Sequence, residues 1–414
     1  EKTLMNIRSY VILRLKELEW STLIFVLLLS TSGLLAIYSI EGQHESTAEY
    51  FFRQSIWTVV GLGLFLLAFF IPRKLIHNLT YPAYGLGIIL LLIPIITKSG
   101  NEVSRWITIG TIGFQPSEFM KILLLLALAK YFADHKRKLA TVKELMTPVA
   151  MALGPTILVL VQPDLGTALV YFGLLIDIIF WAGIKPLHFF LLLAPIISML
   201  AAFQTLSFFL WMGILIVVLY FNHLPFWTKI LNFSINVGLG GITNLLWALL
   251  KPYQQQRILS MIDSDSDPLG AGYQVSQSLT AFGSGGPFGK GLGEGTQTHL
   301  KFLPEQHTDF IMTVIGEEFG FVGVMVVLTL FYLLIAKLIT QAYNSKFRFD
   351  SVLLIGIASI YTFHVFVNLG MIAGILPVTG IPLPFISYGG SFMVTSMILA
   401  GLSVNMSLVR RAVG

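Results

Sequence analysis

Apolar residues come in runs of about twenty along this chain, separated by short polar stretches. The runs lie near residues 20–40, 55–72, 79–97, 116–132, 146–162 and 165–183. Three more crowd together at 187–205, 207–222 and 233–250, and the last three follow a long polar stretch at 309–334, 351–370 and 391–409. A helix of about 20 apolar residues matches the hydrocarbon thickness of a bilayer. Hydropathy therefore predicts about twelve spans, or ten if part of the middle trio lies along the interface. The first run is too long for the apolar core of a signal peptide and reads as a retained helix. The expected fold is all-α: a polytopic membrane helix bundle of 10–12 transmembrane helices. Residues 1–414 form a single membrane domain, interrupted only by a large extracellular loop at 251–308.

Composition removes the soluble alternative. Only 11% of the residues are charged and 55% are hydrophobic, with a mean hydropathy of +0.81; soluble domains carry about 25% charged residues. The absence of cysteine excludes disulfides and thiolate metal sites. A formal charge of +5 would suggest nucleic acid in a soluble protein, but here its distribution matters more. With the N-terminus in the cytoplasm, 17 of the 26 basic residues fall in cytoplasmic segments and 7 in outer ones, leaving Lys121 and Lys130 within spans. By the positive-inside rule both termini are cytoplasmic. The 251–308 loop then faces outward, with no nucleic acid to bind.

Candidate chemistry starts in that loop. Asp263, Asp265 and Asp267 alternate in it. A calcium loop of the EF-hand kind needs Glu at its twelfth position, and Gln274 stands there. A solvated acidic turn remains, except that Pro268, Gly270 and Gly272 set Asp267 in a tight backbone frame. A carboxylate held that way could act as a general base. Gly283–Gly295 holds seven glycines and Lys290; it does not fit a Walker loop and reads as either a flexible loop or an anion-binding nest. His307 and Asp309 could ligate a metal, although Thr308 or Asp309 also suits the cap of the next helix.

Charges inside a bilayer are costly and usually functional. Glu118 and Lys121, three apart, share one helical face; they read as a packing ion pair, a substrate contact, or both. Asp164 could serve substrate or cap a helix. Asp177 lies mid-span without an evident partner. Arg105 could reach a lipid phosphate, with interfacial anchoring by Trp106 as the alternative. Residues 376–391 are apolar yet broken by three prolines and three glycines. Such backbone survives at membrane depth only when buried in protein or lining a wet cavity, so the stretch is read as re-entrant and Ser387 goes with it.

The pieces Arg105-Trp106, Phe114-Gln-Pro-Ser-Glu-Phe, Gln162-Pro-Asp-Leu-Gly-Thr, Asp267-Pro-Leu-Gly-Ala-Gly-Tyr, Leu303-Pro-Glu-Gln-His-Thr-Asp-Phe and Pro382-Leu-Pro-Phe-Ile-Ser-Tyr-Gly-Gly together resemble the SEDS family (shape, elongation, division and sporulation). They run in family order, and the wording of 376–385 resembles the elongation branch more than the division branch. Two departures stand out: residues 187–232 look like an insertion adding two spans, and Gly-Gly-Ser-Phe at 389–392 replaces a common Gly-Gly-Ser-Ser. The resemblance implies a peptidoglycan glycosyltransferase of the bacterial plasma membrane that polymerises lipid II on the outer face. An acceptor hydroxyl would attack the donor sugar's anomeric carbon, and undecaprenyl pyrophosphate would leave. By motif position Asp267 is the general base; Arg105, Lys121 and Arg257 are candidates for the pyrophosphate. Glu118, Asp164, His307, Asp309 and Ser387 are supporting residues. No metal is assigned, with a divalent cation left open as cofactor. The implied partner is a class B penicillin-binding protein, a transpeptidase, beside the membrane lipid itself. The rival reading is a lipid II flippase, which predicts paired half-helices at midplane.

Overall fold

The computed structural model describes residues 18–41, 49–97, 105–110, 112–135, 142–250, 252–262, 270–299 and 305–407. Asp263, Asp265 and Asp267 lie outside them. The twelve apolar runs each form a helix, because a segment in lipid must satisfy its backbone polar groups internally. In chain order these are α1 (Trp20–Glu41), α2 (Glu49–Phe70), α3 (Arg73–Ile96), a hairpin of β1 (Ile107–Ile109) and β2 (Ile112–Phe114), α4 (Pro116–Asp134), α5 (Val142–Val161) and α6 (Leu165–Trp181). The middle trio is α7 (Pro186–Ala201), α8 (Thr205–Phe221) and α9 (Phe226–Leu249). The hairpin is antiparallel with Ile107 opposite Phe114.

Among its described residues, the predicted loop is itself mostly helical. It holds α10 (Pro252–Ile262), α11 (Ala271–Gly285) and α12 (Thr296–His299). Then come α13 (Ile311–Tyr343), α14 (Arg348–Ile372) and α15 (Gly390–Ser407). Among the described residues, seven helices are long and apolar enough to cross a membrane, namely α1, α2, α3, α5, α13, α14 and α15, and α6, α7 and α8 are shorter apolar helices.

Burial sorts the bundle into centre and rim. Helices α14 and α15 are mostly enclosed by protein, whereas α2 and α3 keep most of their surface outward. Helix α15 packs along α2, α13 between α1 and α14, and α4 between α3 and α14. The trio α7–α9 packs mainly on itself, with a small core of its own around Leu191, Ala194, Met212, Leu215 and Leu219. Asp177 finds a partner after all: the Ser359 hydroxyl of α14 donates to it, tying α6 to α14.

Helix α13 breaks at Gly320, whose φ of 65° and ψ of −164° are not helical. The break would orphan the carbonyls of Glu317 and Glu318 and the N–H groups of Phe321 and Val322, which pair with each other in an unbroken helix. The glycine-rich segment replaces those bonds. Lys290 and Gly291 donate to the carbonyls of Glu317 and Glu318 at 3.0 Å each, while Phe321 and Val322 donate to Gly286 and Pro287 at 2.9 and 3.1 Å. Gly283–Gly295 is therefore neither a flexible loop nor an anion nest. It is a strap docked on a broken helix. Its Lys290 ammonium lies 2.7 Å from the buried Glu317 carboxylate, and Gly293 N–H donates to Ser39 of α1 at 3.0 Å.

Candidate active site

Residues 376–389 form the irregular wall around which the site is built. Their backbone is satisfied by side chains from the surrounding helices, which is why it can lie inside the bundle. Asn368 of α14 donates to the Ile381 carbonyl and also to the Asp309 carbonyl, both at 2.8 Å. Gln54 of α2 donates to the Ser387 carbonyl and accepts from Gly389 N–H, both at 3.1 Å. Ser387 accepts from Leu383 N–H at 2.8 Å and donates to the Thr308 carbonyl at 2.6 Å. Helix α1 comes so close here that a Cβ on Gly33 would sit 2.4 Å from the Ile386 carbonyl oxygen, so only glycine fits. Ser387 is buried and fully used in holding this wall; it does not line the open space.

In front of the wall lies a cavity of about 430 Å³, within the usual range for small-molecule sites. Its charged lining comes from five places in the chain. Arg105 precedes the hairpin, Glu118 lies in the first turn of α4, and Asp164 precedes α6. Arg257 comes from α10, and Glu305 and Asp309 from the turn before α13. His364 of α14 and Tyr388 also line the cavity. A smaller adjoining pocket shares Arg105, Asp164 and Arg257 and adds Gln254.

Local bonding gives each group its role. Asp164 caps α6: its carboxylate accepts from Thr167 N–H at 3.1 Å and from the Thr167 hydroxyl at 2.9 Å. Gln115 also reaches it at 3.3 Å. Arg105 donates to the Gln162 carbonyl at 3.1 Å and to the Pro163 carbonyl, which bolts the hairpin to the entry of α6. Glu118 and Lys121 are paired at 2.8 Å, both buried. Lys121 does not itself line the cavity. Its ammonium is enclosed by Glu118, by His364 Nε2 at 3.3 Å, and by the Phe392 ring at 5.2 Å.

The 305–310 turn corrects one expectation. The residue at the start of α13 is Phe310, which makes no side-chain cap, so neither Thr308 nor Asp309 caps that helix. Asp309 instead faces the cavity. Burial pushes its carboxyl up to about 6, helped by nearby Glu305 and opposed by Arg257 and a Thr308 hydrogen bond. His307 points away from the cavity: its ring stacks on Tyr50 at 4.6 Å and meets Tyr388 edge-on at 5.5 Å. Burial lowers its affinity for a proton, with Glu305 acting the other way. Among the described residues no group of three or more His, Asp and Glu stands close enough to hold a metal ion.

The residue reading missed His364, Gln54 and Asn368. A polar or ionisable residue within an apolar run is itself a signal; His364 and Asn368 were visible in that form, whereas Gln54 lies just before the 55–72 run.

A family model described as cell cycle protein, covering FtsW, RodA and SpoVE, matches residues 19–209 and 206–412. The chain belongs to the FtsW/RodA/SpoVE family. The peptidoglycan glycosyltransferase MrdB of Escherichia coli K12 is 34% identical over 393 residues, covering 95% of this chain and 93% of that protein. The peptidoglycan glycosyltransferase RodA of Treponema pallidum is 31% identical, covering 94% of this chain and 98% of that one. Among solved structures, RodA of Thermus thermophilus matches with a TM-score of 0.63 at 27% identity, over 95% of this chain and 98% of that one. A chain of a peptidoglycan synthase complex that coordinates polymerization and crosslinking matches at 0.71 and 30%, with the same coverage. The FtsW/RodA/SpoVE assignment accounts for the order of the sequence motifs and for the bundle together.

Proposed function

We propose that this chain is a peptidoglycan glycosyltransferase that extends glycan strands from lipid II and releases undecaprenyl pyrophosphate. The carrying observation is the 430 Å³ cavity at one end of a membrane bundle, with cations and carboxylates drawn from five separate places in the chain. Glycosyl transfer from a pyrophosphate lipid needs that combination. A sugar hydroxyl is a poor nucleophile until a base takes its proton, and the departing pyrophosphate needs positive charge around it. Arg105 and Arg257 line the cavity and suit the pyrophosphate. Lys121 acts through its field, from behind the Glu118 side chain. The general base is Asp267, by its motif position; it follows Arg257 by ten residues. A divalent cation, where required, would be held by the pyrophosphate together with the 263–267 acids.

The cavity end is assigned to the outer membrane face and the termini to the cytoplasm, on the basic-residue asymmetry. The similarity to a synthase complex supports a class B penicillin-binding protein as the partner that cross-links the product. Two experiments test these readings. The purified chain with its transpeptidase should convert labelled lipid II into glycan strands; no product, with both proteins folded, would sink the assignment. Cysteines placed at Ser284 and Ser345 of this cysteine-free chain should react from opposite sides of intact cells with an impermeant maleimide. Labelling of both from outside would reverse the threading.

A further inference from the structure

We propose that His364 is a positioning residue for the transfer reaction, holding the buried Lys121 ammonium and the cavity wall at Ile381–Leu383 in one arrangement. The proposal rests on the glycosyltransferase reading and assigns a role to a side chain that no motif contains.

His364 is 2% exposed, in the middle of α14. Its Nδ1 lies 2.9 Å from the Pro382 carbonyl. A carbonyl only accepts, so Nδ1 carries the hydrogen. Its Nε2 lies 3.3 Å from Lys121 Nζ. An ammonium only donates, so Nε2 is the acceptor. Both ring nitrogens are thereby used by the neutral imidazole, one on a charge from α4 and one on the irregular wall. The Phe392 ring, 5.0 Å from the imidazole and 5.2 Å from Lys121, closes the third side.

Three successive points of the wall are pinned: the Ile381 carbonyl by Asn368, the Pro382 carbonyl by His364, and Leu383 N–H by Ser387. His364 and Asn368 are four apart, on one face of α14. Asn368 and Ser387 join backbone to backbone, whereas His364 joins the wall to the Glu118–Lys121 pair. The wall also carries Gly380, where an added Cβ would lie 3.2 Å from Asp309 Oδ2. A shift of residues 380–382 would therefore disturb the Asp309 carboxylate that lines the cavity. Misplacement by about 1 Å can cost roughly 10²-fold in rate.

The test measures lipid II polymerisation by the full chain with its transpeptidase partner. His364→Phe keeps an aromatic ring and removes both nitrogens; His364→Gln keeps an acceptor for Lys121 and a donor for Pro382. His364→Phe should lose roughly 10–100-fold in kcat with a smaller change in KM, and His364→Gln should recover most of the loss. In a Lys121→Met background, His364→Phe should cost much less than it does alone. Parent-like activity in His364→Phe overturns the proposal, as does a Gln variant no better than Phe, or equal losses with and without Lys121. If His364→Phe does not fold, His364→Gln decides, since near-parent kcat supports the role and a large loss in folded protein removes it. An inactive parent instead removes the glycosyltransferase reading, and this proposal with it.

Discussion

Two ion pairs with buried carboxylates lie near opposite ends of the bundle, and they differ in what surrounds them. Near the cavity, Glu118 and Lys121 pair at 2.8 Å, with Glu118 on the lining and Lys121 in contact with His364. At the other end, Arg73 pairs with Asp350 at 2.7 Å. The same guanidinium donates to the carbonyls of Asn405 and Met406 at 2.9 and 2.7 Å, closing the last turn of α15. A cation there answers both the orphan carbonyls and the negative end of the helix dipole. The Arg73 pair is a clamp, used up by the helix end that it holds. The Glu118 pair keeps one member on the cavity of about 430 Å³, whereas Asp350 borders only a cleft of about 20 Å³. Buried charge in a membrane protein therefore marks a site only when it faces a cavity large enough to admit a ligand.

The largest expected effect falls where the two ends differ most, in chemistry. Asp267→Asn should lose about 10²–10⁴-fold in polymerisation rate, the usual worth of general acid–base catalysis. Asp263→Asn should cost far less, since it lacks the Pro–Gly frame. Near-parent rates for Asp267→Asn would move the search for the base to Asp309.

Next comes a direct comparison of the pairs. Leaving one member of a buried pair unpartnered costs roughly 3–5 kcal/mol of stability, so Lys121→Met and Arg73→Met should both lower the melting temperature. Only Lys121→Met should also lower the rate per folded molecule. The Glu118→Gln, Lys121→Met double change should be milder than the two losses combined. Equal rate losses for Arg73→Met and Lys121→Met would erase the distinction between clamp and site.

The smallest effect concerns Asp309. Its carboxyl is pushed up to about 6 in the folded protein from an ordinary 3.8. A raised carboxylate contributes most to stability at low pH, below its unfolded value, and that contribution is lost as the pH rises through about 6. Ionised Asp309 is thus a burden at pH 7.5. Asp309→Asn should melt at or above the parent temperature at pH 7.5, with the difference shrinking as the pH is lowered toward 4. A variant that melts well below the parent at pH 7.5 would show that Asp309 is held by bonds the acid alone can make.

Much of the site was legible because its residue types are rare in lipid. Arg105, Glu118, Asp164, Arg257 and Asp309 stood out along the chain as charges near or within apolar runs, and the fold draws all five to one cavity. His307 and Ser387 stood out equally, yet one stacks against Tyr50 and Tyr388 and the other fastens backbone. Residue type states what a side chain can do, not which side of a turn it faces. The Gly283–Gly295 strap was illegible for a related reason. Its partners, Glu317 to Val322, are backbone groups freed by a break at Gly320, and a break in one helix leaves no mark on the loop that repairs it.

The sequence by itself determined the twelve apolar helices and the need for irregular backbone at 376–389, because those follow from local hydropathy and from proline and glycine chemistry. It also carried the family, since six motifs in order are a property of the chain. Only the tertiary structure decided that the described part of 251–308 is largely helical, that α7–α9 keep a core of their own, and that Lys121 is enclosed between Glu118, His364 and Phe392. Those outcomes depend on which apolar face meets which. Hydrophobic burial has no direction of its own, so partners far apart in the chain are chosen by packing and by the few buried polar groups that must find one another.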